Sequence, residues 1–215
     1  MTIKAIIFDF DGVILESTEI KTEAFRNLFA KWGDKIDHIV YYHKKNMGVS
    51  RYIKFKHIYE DILKMPYSEE IGEKLGKEFS KLVLEKIKNA PFVSGALEFL
   101  KHNYNKYDLF IASGTPENEL QDIVSFRGLN LYFKSIFGTP STKSEIIKRI
   151  MKTYCFLPNE VVFIGDADTD KKAAEAERIL FILRKSPETE IDNVAYKIEN
   201  LFELQDVLER IEKCK

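Results

Sequence analysis

The sequence predicts an α/β fold: a doubly wound parallel sheet, interrupted once by a helical insert. Three observations lead there. Short β-branched and aromatic runs alternate with segments of helical periodicity. Four of those runs are apolar almost throughout, as strands covered on both faces are. Residues 17–88 then hold helical spacing and no strand-like run.

The first strand is IKAIIF, residues 3–8. YDLFIA (107–112), EVVFI (160–164) and ILFIL (179–183) repeat its character, and VAYKI (194–198) is a weaker fifth. Helical patterns fall between them, at 95–103, 116–127, 143–154, 170–177 and 200–213. Within the insert, Ile20, Ala24, Leu28 and Trp32 recur at helical spacing. So do Phe55, Tyr59, Ile62 and Leu63, and then Ile71, Leu75, Phe79, Leu82 and Ile87. The insert's edges fall near Leu15–Ser17 and Ala90–Pro91.

Composition narrows the function. The chain has 215 residues and is 45% hydrophobic, enough for one domain with a smaller insert. Its 33 basic side chains balance 34 acidic ones, so no net basic field favours nucleic acid. No stretch approaches the ~20 apolar residues of a membrane span, and the start moves from Met-Thr straight into a strand-like run. Cys155 and Cys214 are too few for a disulfide framework, so a cytoplasmic, reducing setting is expected.

Ligands of open parallel sheets bind beyond the carboxyl ends of the strands. Asp9, Asp11 and Gly12 follow the first strand, Ser113, Gly114 and Thr115 the second, and Asp166, Asp168 and Asp170 the third. Lys143 opens a helix in GTPSTKSEI. Each has a structural alternative. Asp11-Gly12 suits a turn, and Thr115-Pro116-Glu117 suits a helix start. Thr142-x-x-Glu145 fits a capping box, which would leave Lys143 solvated on a first turn. A lysine there opposes the helix dipole, which points to an anionic partner. GDADTD resembles half a calcium loop but lacks the distal glutamate.

Together, each group behind its own strand, they fit phosphoryl transfer. Mg²⁺ takes one or two carboxylates and keeps water and phosphate oxygens for its other positions. Asp9 and Asp166 can supply those carboxylates, with Asp170 as direct or indirect support. One carboxylate attacks phosphorus and a neighbouring carboxyl moves the leaving-group proton. A hydroxyl, backbone N–H groups and an ammonium meet the phosphoryl charge, roles that suit Ser113 with Gly114, and Lys143.

In this order the motifs resemble the haloacid dehalogenase superfamily, in its phosphatase branch. DFDGV matches the first motif, SGT the second, Lys143 the third and GDADTD the fourth. The resemblance implies a Rossmann-like core of residues 1–16 and 90–215, and a mobile helical cap of residues 17–89 that closes over substrate. It implies that Asp9 is the nucleophile and Asp11 the general acid/base, with the Asp11 backbone carbonyl on Mg²⁺. Ser113, Gly114 and Lys143 would hold the phosphoryl group; Asp166 would bind the metal with Asp170 supporting it. Dehalogenases lack the second aspartate and the metal cluster, so Asp11 argues against haloacid chemistry.

MGVSRYIKF (47–55) is similar to the GVSR cap segment of β-phosphoglucomutase. Carried over, Arg51 would meet an anionic group on the leaving half of the substrate; the alternative is a solvated arginine behind an N-cap at Ser50. The mutase's cap-side histidine aligns with Lys21, a poor proton shuttle near neutrality, which favours hydrolysis over mutase chemistry. Lys21 itself is read as an anion ligand or a solvated surface lysine. The four histidines show no metal-ligand spacing and are expected on the surface or satisfied in the core.

Two other folds share some of these features. A phospho-accepting receiver module also gathers aspartates, a hydroxyl and a lysine, but it is shorter and takes its phosphoryl group on a later strand. GTPSTKS (138–144) lacks the glycine before the lysine that a P-loop needs. The expectation is a Mg²⁺-dependent phosphatase of a small phosphorylated metabolite, working through an aspartyl-phosphate.

Overall fold

The computed structural model describes residues 2–186 and 191–213. Six parallel strands form one sheet: β1 (Ala5–Phe8), β2 (Asp108–Pro116), β3 (Ser135–Thr139), β4 (Val161–Gly165), β5 (Leu180–Arg184) and β6 (Tyr196–Ile198). They lie in the order β3-β2-β1-β4-β5-β6. The chain therefore builds outward from β1 in one direction, then crosses back and builds the other way from β4. The carboxyl ends of β1 and β4 flank that reversal, where open α/β sheets bind ligands. Phe8 pairs with Ile111 on one side and Ile164 on the other, so β1 is central and fully buried.

Alternation along β1 serves two layers. Ala5 and Ile7 pack with Ile146, Ile147 and Ile150 of α7 (Lys143–Tyr154) and with Ala173 and Ala174 of α8 (Asp168–Ala176). Ile6 and Phe8 face the opposite core, beneath α5 (Ala96–Asn103), α6 (Glu117–Phe126) and α9 (Leu204–Lys213).

That second core runs on into the insert. Residues 18–88 form α1 (Thr18–Leu28), α2 (Ile36–Lys45), α3 (Arg51–His57) and α4 (Glu69–Lys88), joined by short 3₁₀ and π turns. Phe25, Phe29, Phe55 and Phe79 are buried together, with Phe25 and Phe79 edge to face at 5.0 Å. Truncating Phe79 to alanine would cost ~3–5 kcal/mol. Ser68 caps α4 by accepting from the Ile71 N–H, and α7 opens on the expected capping box of Thr142 and Glu145.

The structure corrects several expectations. Residues 135–139 form a sixth strand that sequence reading left out; it is a half-buried edge strand containing Gly138, so neither strict alternation nor a continuous apolar run marks it. The second strand extends through SGTP, so Ser113–Thr115 lie within a bulged stretch of β2 and not beyond its end. Helix α2 was also unread: its buried positions Ile39, Val40 and His43 include a histidine, which masks the apolar stripe. Cys155 is exposed and, among the described residues, unpaired; Cys214 lies outside them.

Candidate active site

The ends of β1 and β4 and the first turn of α7 meet at one place. Asp9 follows β1 and is buried, its Oδ1 accepting from the Phe10 N–H at 2.7 Å. Lys143, on the first turn of α7, reaches it with Nζ 2.9 Å from Asp9 Oδ2. The same ammonium also bonds Asp170, whose other oxygen accepts from the Ala167 N–H at 3.0 Å. Carboxylate oxygens of Asp9, Asp166 and Asp170 lie within 4.8 Å of one another. Asp168, in contrast, is exposed and pairs with Lys172 at 2.6 Å.

Gly12 lets the chain turn past this cluster. Its φ is +78°, and a methyl group on it would overlap the Asp166 carboxylate. No L side chain fits there without moving Asp166.

The second aspartate sits in a different environment. Asp11 accepts from Ser17 Oγ at 2.6 Å and from Thr115 Oγ1 at 3.0 Å, and it pairs with Lys21. Lys21 also donates to Thr115 Oγ1 at 2.8 Å. Two sequence readings are thereby corrected. Lys21 is not a solvated surface lysine, and Thr115 does not cap α6, whose N-cap is Pro116 with no side-chain bond. The extended run of β2 carries Thr115 past the helix start and onto Asp11.

These environments move the acids apart. Burial pushes the Asp9 pKa up to about 7; Lys143 opposes the shift, and the charges of Asp170 and Asp11 add to it. Asp166 is raised well above the usual range, by burial first and then by Asp9 and Asp170. Burial would raise Asp11 as well, but the Lys21 charge and the bonds from Lys21, Ser17 and Thr115 prevail, and its net shift is downward. Burial alone would lower the Lys143 ammonium; Asp170 and Asp9 outweigh it, so it stays charged.

Ser113 is buried, with Oγ accepting from the Thr115 N–H at 3.1 Å. Gly114 allows the insert to approach: a side chain on it would strike the Gly48 carbonyl. The Met47–Val49 segment is held over the sheet edge by Thr169 Oγ1, which donates to the Met47 carbonyl at 3.0 Å. Asp9, Asp11, Lys21, Gly48, Arg51, Lys54, Gly114, Thr115 and Asp166 enclose a cavity of ≈ 50 Å³. That holds a few water molecules and no sugar phosphate. An open cleft of ≈ 400 Å³ adjoins it and shares Thr18, Met47 and Asp166 with it. Ser113, Lys143 and Asp170 lie behind the cavity lining.

Arg51 departs from its solvated alternative, and Ser50 makes no side-chain cap. It is 5% exposed, and its guanidinium fork holds the Glu119 carboxylate, with Nη2 2.7 Å from Oε2. Sequence reading missed Glu119, Lys54 and His43. A signal for Lys54 existed: Arg51, Lys54, Phe55 and Ile58 share the buried face of one helical stretch, so a lysine occupies an apolar position. Glu119 carried none, because its partner lies 68 residues away in the chain.

The donor set fits a hard divalent cation. Asp9 and Asp166 bring carboxylate groups to the cavity lining, and Asp170 stands behind them, bonded to Lys143 and the Ala167 N–H.

Comparison with known proteins adds a family. The description "Haloacid dehalogenase-like hydrolase" matches residues 6–183. A phosphorylated carbohydrates phosphatase from Thermotoga maritima is 26% identical over 181 residues, covering 82% of each chain. β-Phosphoglucomutase from Clostridium difficile superposes with a TM-score of 0.77 at 19% identity, over 97% of this chain and 98% of that one. A haloacid dehalogenase-like family hydrolase from Streptococcus pneumoniae gives 0.72 at 18%, over 95% and 97%. At these identities the two structural likenesses show the fold.

Proposed function

The chain belongs to the haloacid dehalogenase-like hydrolases and is an enzyme of their phosphatase kind; from that premise we propose that it hydrolyses a small phosphorylated carbohydrate with Mg²⁺, through an aspartyl-phosphate on Asp9. The carrying observation is the contrast between two acids two residues apart. Asp9 is held against Lys143 and faces Asp166, while Asp11 is held by Ser17, Thr115 and Lys21.

Asp9 attacks phosphorus as the ester P–O bond breaks, and Asp11 gives its proton to the departing alkoxide. Asp11 then takes a proton from water as that water attacks the aspartyl-phosphate, releasing phosphate and restoring Asp9. Its lowered pKa suits the second half, and the arriving phosphoryl anion raises it for the first. Lys143, the Ser113 hydroxyl and the Gly114 backbone meet the equatorial charge. Asp9, Asp166 and the Asp11 carbonyl would hold Mg²⁺, which supplies positive charge to keep Asp9 ionised and to polarise the phosphoryl oxygens. Residues 17–89 act as a cap over the core of residues 1–16 and 90–215, and the small inner cavity means that substrate enters with the cap open. Hydrolysis is favoured over phosphomutase chemistry because Lys21 is committed to Asp11. The exposed, unpaired Cys155 suits a cytoplasmic setting.

The test is phosphate release across a panel of sugar and small-acid phosphates, with Asp9→Asn as control. Loss of at least ~10³-fold with unchanged circular dichroism is expected; near-native turnover by the variant would end the proposal.

A further inference from the structure

We propose that Lys54 binds an oxyanion on the leaving half of the substrate, a carboxylate or a second phosphate, with His43 positioning it. The inference rests on the phosphatase reading above and deepens it.

Three cations reach the cavity from the insert. Lys21 has Asp11 as its counter-charge, and Arg51 has Glu119. Lys54 is 3% exposed, and among the described residues no carboxylate comes within 4.0 Å of its ammonium. Its partner is His43 Nδ1 at 3.1 Å, with the His43 carbonyl at 3.4 Å. An imidazole offers a hydrogen bond but no negative charge. Burying an ammonium without a counter-ion is costly, and an apolar residue on this face of α3 would serve the core better.

His43 repeats the pattern. It is 2% exposed, lines the same cavity, and stacks on Phe25 with ring centroids 4.1 Å apart. With Lys54 donating to Nδ1, the imidazole proton sits on Nε2, and that buried nitrogen has no partner among the described residues. Burial first, then the neighbouring Lys54 and Lys21 charges, hold the ring neutral. Burial first, then the Lys21 charge, pull the Lys54 pKa down to about 7, so its charge is weakly held until an anion arrives. That lysine beside an unmet N–H on one wall is complementary to a group with several acceptor oxygens and a negative charge. Arg51 does not fill that role while Glu119 occupies its fork.

The test compares kcat/KM for three esters that share a two-carbon skeleton: 2-hydroxyethyl phosphate as the neutral reference, 2-phosphoglycolate, and ethylene glycol bisphosphate. Wild-type enzyme should prefer one anionic ester by about tenfold or more, and which one identifies the oxyanion. Lys54→Met keeps an unbranched side chain of similar length without the ammonium that lies 5.5 Å over the Phe25 ring, and Lys54→Gln keeps a donor without charge. Both should reduce the anionic-to-neutral ratio about tenfold or more, mainly through KM. His43→Phe, which preserves the stacked ring, should lower the same ratio through KM rather than kcat. The assignment is overturned by a wild-type enzyme with no anionic preference, or by Lys54 variants that leave the ratio within about twofold or depress all three esters equally. Hydrolysis without that preference removes this assignment alone; failure to release phosphate from these esters and from the sugar-phosphate panel alike, with Asp9→Asn indistinguishable, removes the phosphatase reading and this assignment with it.

Discussion

Arg51 on α3 grips Glu119 on α6 through both arms of its guanidinium, Nη2 at 2.7 Å from Oε2 and Nη1 at 3.2 Å from Oε1. Ser80 of α4 completes the junction, accepting from Arg51 Nη1 at 2.9 Å and donating to Glu119 Oε1 at 2.6 Å. Insert and sheet layer are thus joined by a buried ion pair whose partners depend on each other. Glu119→Ala leaves the guanidinium without its counter-charge and should cost ~3–5 kcal/mol. The double variant Arg51→Met with Glu119→Leu should lose less than the single one. Urea unfolding of the set measures this; a double loss equal to the sum of the singles would contradict the pairing.

Metal binding should depend on pH in a direction the acids dictate. The folded-state pKa of Asp9 is raised from 3.8 to about 7, and Asp166 moves the same way. A raised carboxyl favours the protonated fold, so its contribution is complete below pH ~4 and is lost as pH climbs through about 7. In the proposed site Mg²⁺ would bind the ionised acids. Its stabilisation should therefore be small at pH 5 and grow toward pH 8, read as the Tm difference between Mg²⁺ and EDTA. Equal shifts at both pH values would refute the assignment of these ligands.

Lys21 should set the working pH through Asp11. Its charge and hydrogen bond are what outweigh burial and bring the Asp11 pKa down. Lys21→Met removes both, so the Asp11 pKa rises and the basic limb of the kcat/KM profile, where Asp11 loses the proton it gives the leaving group, should move to higher pH. A limb that stays put would mean that Asp11 is not the group it reports. Asp11→Asn should slow turnover ~10²–10⁴-fold, most severely for esters with poor leaving groups.

Gly114 tests the closed approach of the insert. A methyl there collides with the Gly48 carbonyl, and Gly48 itself turns at φ +76° beside Thr169 and Lys143. Gly114→Ala should hold the Met47–Val49 segment away, lowering kcat/KM at least ~10²-fold while Tm changes little. Native kinetics in this variant would show that closure over Gly114 is not needed.

Much of the site was legible because it depends on local sequence. An apolar run that ends in Asp9 and Asp11, or in Asp166 and Asp170, declares both a strand and what stands at its end. The capping box placed Lys143 on a first turn, and the ion pair to Asp9 gives that position a purpose. Thr115 misled because a Thr-Pro-Glu helix start and a strand extended by four residues look alike in sequence. His43 and Lys54 were hidden by a sound rule, that polar side chains avoid the core, which these two break together.

By itself the sequence determined an alternating α/β chain, a helical insert after the first strand, and which acids, hydroxyl and lysine lie near strand ends. Periodicity and turn chemistry are local, and they survive without any knowledge of neighbours. Only the tertiary structure decided that β1 and β4 lie side by side at the reversal of the sheet, that Glu119 answers Arg51, and that among the described residues no carboxylate pairs with Lys54. Those are matters of distance between segments remote in the chain, settled by packing, where burial decides whether a charge is solvated, paired or left waiting for a ligand.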